Sequence, residues 1–430
     1  MTMLDAVKRI CEQFGYDRKF WLAFSGGLDS HVLLSLCHEI PIQLHVIHIH
    51  HGLSPFASDW SLHCKKVCAD YQIPYHEKHL TLELSPGDSL EEVARRERYA
   101  VLAEYLDTGD ILLTGHHQDD QAETMLLQLF RGAGPKGLAA MPVVKPFAAG
   151  WHCRPLLGFA RATLQEYAEQ KKLQWVEDES NLNQRLARNF LRHHILPALK
   201  QKWSGIAETI SRSAAHCAEA QELLERYALE DCDKTQGSLP GTLSISKLQR
   251  FDLLRQKLLL RTWIEQQHYP LPDATRLSAI LTDVLDASWD ATPCVTWRDV
   301  ELRRYRDDLY LMKSLRQQDI TLSYRWNLDE SLHMPTIGTL LSVPVVGQGL
   351  RRSINEVTVR FRQGGEVVNV PTVGNKALKT LMQEWGVPPW LRDRIPLLFL
   401  EEKLVGVVGY FLDDQHKAAE GEIGSVVSVV

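Results

Sequence analysis

The sequence has no C-x-x-C pair. Its eight cysteines stand singly at 11, 37, 64, 68, 153, 217, 232 and 294, which fits free thiols in a reducing compartment and offers no ligand spacing for a metal or iron–sulfur cluster. No run approaches the roughly 18 uninterrupted apolar residues of a membrane-spanning helix. The opening Met1-Thr2-Met3-Leu4-Asp5-Ala6-Val7-Lys8-Arg9 is charged and helical in period, without a signal peptide's apolar core. A cytoplasmic protein with no membrane partner is expected. A Walker A Gly-Lys-Ser/Thr and a Gly-x-Ser-x-Gly elbow are both missing, so neither a P-loop nucleotidase nor a serine hydrolase is suggested. There is no internal repeat and no low-complexity segment. An excess of positive charge is missing too. Forty-eight Lys and Arg against 54 Asp and Glu leave a net charge of −6, so any polynucleotide must be held by local patches.

Three such patches exist. Arg185, Arg188, Arg192, His193, His194, Lys200 and Lys202 crowd one segment; Arg298, Arg303, Arg304 and Arg306 a second; Arg351, Arg352, Arg360 and Arg362 a third. Each is also what a solvated surface looks like.

The most informative feature is Ser25-Gly26-Gly27-Leu28-Asp29-Ser30, between an apolar run (Phe20 to Phe24) and a helical pattern from His31. Two glycines at a strand-to-helix turn let main-chain N–H groups approach an anion, and the helix points its positive end at the same spot. Asp29 is the odd member. A carboxylate beside a phosphate repels it unless a divalent cation such as Mg²⁺ lies between. The hexapeptide reads as a phosphate cradle with a built-in metal ligand.

A second constellation, Gly115-His116-His117-Gln118-Asp119-Asp120-Gln121-Ala122-Glu123-Thr124, again follows a strand (Ile111 to Gly115) and opens a helix. Strand ends of a doubly wound sheet face one crevice, so both motifs can line it. Asp120, Glu123 and Thr124 fall on one helical face. Asp120 is a candidate to complete a metal shell with Asp29 or to grip an amine, while Asp119 reads equally as an N-terminal cap. Arg95 and Arg98, three apart, can reach phosphates or a carboxylate, or pair with Glu91 or Glu92. A zinc-dependent hydrolase with His48, His50 and His116 as ligands is the rival reading. It lacks the Asp of the binuclear His-x-His-x-Asp-His pattern and leaves the hexapeptide without a purpose.

Strand and helix signals alternate over the first 200 residues, as in a mostly parallel sheet covered on both faces. A strand is expected over 42–49. A helix opens at 89 with a Ser89/Glu92 capping box and runs to about Asp107, and another spans about 119–130. From 200 to 290 the periods are helical (206–229, 248–267, 273–285), followed by a hairpin of 300–305 with 309–312. Strands at 357–362 and 367–370, a helix over 376–385, and strands at 397–400 and 404–410 complete the last segment. The division expected is 1–205 as the α/β catalytic domain, 206–330 as a helical domain ending in a hairpin, and 335–430 as a small α+β domain.

Ser25 to Ser30 resembles the signature of the PP-loop ATP pyrophosphatases, which cleave ATP to AMP and pyrophosphate and pass the adenylyl group to a substrate oxygen. Within them the chain resembles the tRNA(Ile)-lysidine synthetases. The likeness lies in His50-His51-Gly52-Leu53, Ala94-Arg95 with Arg98-Tyr99, Gly115-His116 with Asp119-Asp120 and Glu123-Thr124, and Arg131-Gly132 with Gly134, Gly137 and Leu138. It continues in Arg154-Pro155-Leu156, in Asp178, Ser180 and Asn181 followed by Arg188, Asn189 and Arg192, and in Phe361 to Gly365 and Trp385 to Pro396. His31 departs from it, standing where a small hydroxyl residue is more familiar.

The resemblance implies an adenine-nucleotide-hydrolase-like fold and a two-step ligation. ATP adenylates the 2-oxygen of the wobble cytidine in the CAU anticodon of tRNA(Ile), and the ε-amine of free L-lysine then displaces AMP to give lysidine, changing codon reading from AUG to AUA. It implies ATP bound by Ser25, Gly26, Gly27, Leu28, Asp29, Ser30, Gly115 and His116, and Mg²⁺ held by Asp29 and Asp120. The catalytic residues implied are Asp29, Asp120, Arg95 and Arg98. The helical middle and the last domain are implied to contact tRNA, and a homodimer is left open. The rivals are a tRNA thiolase of the same superfamily, which usually carries the missing C-x-x-C pairs, and a non-catalytic RNA-binding module, which has no need of Asp29 beside phosphates.

Overall fold

A computed structural model describes residues 1–430 apart from 51, 53, 82–89, 178, 180–185, 289–290 and 371–373, and without the side chain of residue 91. The capping box at Ser89, the possible Glu91 pairing, and His51, Leu53, Asp178, Ser180, Asn181 and Arg185 therefore lie outside the described residues. The chain divides into two compact units, Met1–Arg226 and Tyr227–Val430.

The first unit alternates helix and strand: α1 (Met3–Phe14), β1 (Lys19–Ala23), α2 (Leu28–His38), β2 (Gln43–His50), α3 (Ala57–Asp70), β3 (Tyr75–His79), α4 (Leu90–Glu104), β4 (Ile111–Leu113), α5 (Gln118–Phe130), α6 (Pro135–Leu138), β5 (Val144–Phe147), β6 (Gly150–Cys153) and α7 (Arg161–Gln170). The sheet order is β3-β2-β1-β4-β6-β5. Every neighbouring pair is parallel except the terminal β5/β6 hairpin. Alternation along β1 shows why both faces are covered. Phe20 and Leu22 point into a core with Val7, Ile10, Val32, Leu33 and Leu164 of α1, α2 and α7. Trp21, on the opposite face, packs with Ile47, Leu102, Leu106 and Leu112, and its indole N–H donates to buried Asp110 at 3.0 Å.

The strand order reverses between β1 and β4, so the loops after these two strands flank the crevice where such sheets bind ligands. β3 escaped the sequence reading because Tyr75-His76-Glu77-Lys78-His79 is an edge strand whose side chains are mostly exposed, leaving no apolar alternation to read.

After α7, α8 (Ala187–Phe190), a π-helical turn (Leu191–Ile195) and α9 (Leu196–Lys202) lead into α10 (Ile206–Lys234). Leu196 of α9 and Ala207 of α10 pack on Ala122 of α5. The segment 187–202 is thereby fastened along the helix that carries the second constellation.

In the second unit, β7 (Leu243–Ser244), α11 (Ile245–Leu248), α12 (Leu253–Gln266), α13 (Ala274–Ala279) and strands β8 (Cys294–Trp297), β9 (Val300–Tyr305) and β10 (Asp308–Lys313) share one core. The rest is richer in strands than expected: β11 (Tyr324–Asn327), β12 (Leu332–Met334), β13 (Gly338–Val346), β14 (Leu350–Arg351), β15 (Glu356–Arg360), the β16–β17 hairpin (Val367–Val370, Gly374–Ala377), α14 (Leu378–Glu384), α15 (Pro389–Arg392), β18 (Leu397–Leu400), β19 (Lys403–Val407), β20 (Phe411–Leu412) and β21 (Ile423–Val429). Strand β11 lies before residue 335 yet pairs with β15, and buries Trp326 beside Val357 and Phe361. The last strand is not 404–410 but β21, which pairs with β13 from Leu340 to Val346. The helix expected from 376 starts at Leu378, because 374–377 belong to β17. Among the described residues no helix is long and apolar enough to cross a membrane.

Candidate active site

The turn after β1 is shaped as its glycines require. Gly26 has φ +79°, and a methyl there would stand 2.9 Å from Cys64 Sγ and 3.1 Å from Val176 Cγ2. The loop is braced internally: the Gly27 N–H donates to Ser25 Oγ at 3.4 Å, the Ser30 hydroxyl donates to Gly27 O at 2.9 Å, and the Ser25 and Ser30 hydroxyls are 3.1 Å apart. Gly27 is the N-cap of α2 and supplies no side-chain cap. The first N–H groups of that helix, from Leu28, Asp29 and Ser30, are thus left without a side-chain acceptor among the described residues, which is the condition for an anion at a helix N-terminus.

The two constellations meet. A methyl on Gly115 would lie 2.7 Å from the Asp29 main-chain oxygen and 3.1 Å from Ser30 N, so the loop after β4 packs directly on the first turn of α2. That contact sets His117 between two carboxylates, its Nε2 at 3.5 Å from Asp29 Oδ2 and 3.4 Å from Asp120 Oδ2. Burial pushes the His117 pKa down, but the hydrogen bond to Asp29 and the charge of Asp120 outweigh it, and the value ends above that of an ordinary histidine.

Asp29 and Asp120 differ in what they have left to offer. Asp120 Oδ2 accepts from the His117 N–H at 3.1 Å, and Oδ1 accepts from Arg192 Nη2 at 3.0 Å. It is Asp120, and not Asp119, that caps α5. Asp119 instead pairs with Lys200 at 2.6 Å. Asp29 Oδ1 is buried with no hydrogen-bond partner among the described residues. A hard cation such as Mg²⁺ is held by one or two carboxylates together with substrate phosphates, and this orphaned oxygen beside an uncapped helix start fits that description. Among the described residues no group of three or more His, Cys, Asp and Glu could hold a metal by itself. The zinc triad does not assemble: His48 Nδ1 is 2.8 Å from Phe24 O, and His50 stacks on His79 at 4.3 Å.

Glu123 is wholly buried. Arg192 Nε donates to its Oε1 at 2.6 Å and Nη2 to its Oε2 at 2.9 Å, with Arg188 Nε 3.3 Å from Oε2; Arg188 Nη2 also donates to Thr124 Oγ1 at 2.8 Å. Burial raises the Glu123 pKa, and Arg192 only partly opposes it. Of the basic segment taken in the sequence for a surface patch, Arg188, Arg192 and Lys200 are therefore engaged by Asp119, Asp120, Glu123 and Thr124, while His193 and His194 stay exposed. A signal existed in the sequence. Arg188 and Arg192 are i, i+4 partners, as Asp120 and Thr124 are, and complementary spacings of that kind can mate along two helices.

Arg95 and Arg98 both approach the ring of Tyr99, at 5.1 and 5.9 Å. Arg95 is the half-buried one, and its charge reaches His116 and His152. Glu92, a suggested partner of these arginines, is 3.8 Å from Arg131 instead.

Residues 2–199 match the family model described as a PP-loop domain, 243–310 the TilS substrate binding domain, and 357–429 the TilS substrate C-terminal domain. The tRNA(Ile)-lysidine synthase of Coxiella burnetii is 44% identical over 95% of this chain and 93% of its own length. That of Methylococcus capsulatus is 41% identical over 90% of each. Among solved structures, a U34-tRNA thiolase from Methanococcus maripaludis gives a TM-score of 0.42 at 20% identity, covering 50% of this chain and 78% of that one.

Proposed function

The chain belongs to the tRNA(Ile)-lysidine synthase family, and we propose that it forms lysidine by using the crevice between the β1 and β4 loops first for adenylation and then for amine attack. It is an enzyme of that type, and its PP-loop domain implies the use of ATP. The observation that carries the adenylation step is the buried Asp29 Oδ1, unpartnered among the described residues, beside the uncapped start of α2. The main-chain N–H groups of Leu28, Asp29 and Ser30 and the loop hydroxyls hold the phosphates. Mg²⁺, held through Asp29 Oδ1, would neutralise charge on the departing pyrophosphate. His117 keeps Asp29 and Asp120 at fixed positions, and Arg95 adds positive charge beside the crevice.

For the second step, free L-lysine brings a cation to a face carrying Asp119, Asp120 and Glu123. Its ε-amine must shed a proton before it displaces AMP from the wobble cytidine. Asp120 is the candidate to grip that amine, while Glu123, wholly buried and bound by Arg188 and Arg192, holds those two arginines in place beside it. The proposal keeps 1–205 as the catalytic domain and assigns tRNA contacts to 206–330 and 335–430, in keeping with where the three family models fall. It places the enzyme in the cytoplasm.

Pyrophosphate release from ATP, measured with a CAU-anticodon tRNA(Ile) with and without lysine, tests this. Lysine incorporated into the RNA with AMP formed is the expected result. Sulfur-dependent product would indicate a thiolase, and no turnover a binding module; either overturns the proposal.

A further inference from the structure

Behind the β4 loop lies a buried polar chain that the steps above do not use. Arg154, 3% exposed, aims Nη2 at His152 Nδ1 at 3.1 Å. His152, with no exposed surface, has Nε2 2.8 Å from Thr114 Oγ1, and that oxygen is 2.7 Å from His116 Nδ1. Only one direction of donation is consistent with every link of this chain. A guanidinium can only donate, so His152 Nδ1 accepts and its proton resides on Nε2. The Nε2–H then donates to Thr114 Oγ1. The hydroxyl proton is left to donate to His116 Nδ1, and the His116 proton must sit on Nε2. That nitrogen has no hydrogen-bond partner among the described residues, and it belongs to the residue following Gly115 at the crevice.

Resting on the adenylation reading above, we propose that Arg154, His152 and Thr114 are positioning residues that lock His116 as a neutral imidazole donating from Nε2, so that it hydrogen-bonds a phosphoryl oxygen during adenylation rather than acting as a base. Burial and the nearby Arg154 and Arg95 act the same way, pushing the His116 pKa down to about 3 against the pull of Asp120. A fixed donor aimed where charge develops lowers the barrier without reorganisation. It also explains why an arginine is buried here with its Nη1 donating to Pro142 O at 2.8 Å and, among the described residues, no carboxylate hydrogen-bonded to it.

The decisive measurement is ¹⁵N–¹H long-range correlation on the histidine rings of the full chain between pH 5.5 and 8. His116 should read as the Nε2–H tautomer throughout; an Nδ1–H or doubly protonated ring overturns the proposal. Thr114→Val should release that tautomer and lower kcat for pyrophosphate release at least about tenfold, with the KM for ATP held within about twofold because ground-state binding is untouched. Thr114→Ser, which keeps the hydroxyl, should restore both readings and guards against a simple folding defect. His116→Gln presents an N–H near the same place but cannot take a proton, so it should retain clearly more activity than His116→Ala. Equal loss in the two, or wild-type kcat in a folded Thr114→Val, overturns the donor role. A wild-type chain that releases no pyrophosphate overturns the adenylation reading itself, while the tautomer spectrum still decides the relay.

Discussion

The acidic start of α5 and the arginine-rich β9–β10 hairpin both bury charge, to opposite ends. Around α5, Asp29, Asp119, Asp120 and Glu123 face Arg188, Arg192 and Lys200, with His117 between Asp29 and Asp120. One oxygen, Asp29 Oδ1, is still without a partner among the described residues. In the hairpin, Arg304 is 9% exposed and is bound to no carboxylate among the described residues. Its Nη1 donates to Leu285 O at 2.9 Å and Ala287 O at 2.7 Å, with Val284 O at 3.3 Å, and its Nε donates to Arg306 O. The Val284, Leu285 and Ala287 carbonyls lie at or just past the end of a helical segment, where intrahelical donors run out, and Leu285 O accepts from Gln249 Nε2 at 3.0 Å as well. Neighbouring Arg303 is bound to Glu301 and lies 5.3 Å over Trp390. A buried charge cluster is a site when capacity is left over, and scaffold when its hydrogen-bond inventory closes.

That distinction breaks most visibly under two substitutions. Asp29→Asn should lower pyrophosphate release by about a hundredfold or more and leave tRNA affinity in a filter-binding assay nearly unchanged, since the hexapeptide is not where the proposed tRNA contacts fall. Arg304→Met should do the reverse. Several carbonyls lose their donor, costing about 3 kcal/mol in urea unfolding, while turnover per folded molecule stays at the wild-type level. An Arg304→Met chain of full stability and no activity would mean that the hairpin, too, is a site.

What the sequence made legible follows the same line. The β1 and β4 turns were readable because glycine, hydroxyl and carboxylate at a strand-to-helix junction permit few geometries, and the Gly115–Asp29 approach bears this out. The fate of Arg188, Arg192 and Lys200 was not readable. A basic run looks alike whether it faces phosphate or an internal carboxylate, and only tertiary packing through Leu196 and Ala122 decides. The relay through Thr114, His152 and Arg154 joins residues up to 40 positions apart by the pairing of β4 with β6, a register no local pattern encodes. The late strands β12, β13 and β21 were missed for another reason. Gly338–Val346 and Ile423–Val429 interleave Gly, Ser and Pro with valine, blurring the alternation that marks a half-buried strand.

A finer contrast lies inside the crevice. His117 has a raised pKa, so it binds its proton more tightly folded than unfolded. Its contribution is fully present below about 6.5 and is lost as pH rises through the raised folded value. His152 is the opposite. Its pKa is pushed down to about 2, chiefly by burial and then by Arg154, so its contribution holds above 6.5 and is lost as pH falls below it. Melting temperature measured from pH 5 to 8 should therefore decline less on the alkaline side in His117→Gln and less on the acid side in His152→Gln, where the decline does not vanish because His116 is lowered too. Both changes on the same side would refute the assignment of proton positions.

The smallest effect expected is at Arg360, one of the third basic patch. Its guanidinium is bidentate to Glu402, with contacts of 2.7 and 2.9 Å, but the carboxylate side chain is 84% exposed. An exposed pair gains little over hydration and is screened by salt. Arg360→Ala should leave the urea midpoint within measurement error. It should also leave the salt dependence of tRNA binding unchanged, because a guanidinium already held by a carboxylate releases no counterion from a phosphate. A slope reduced by about one would show that the pair opens to take a phosphate, and would move this patch from scaffold to interface.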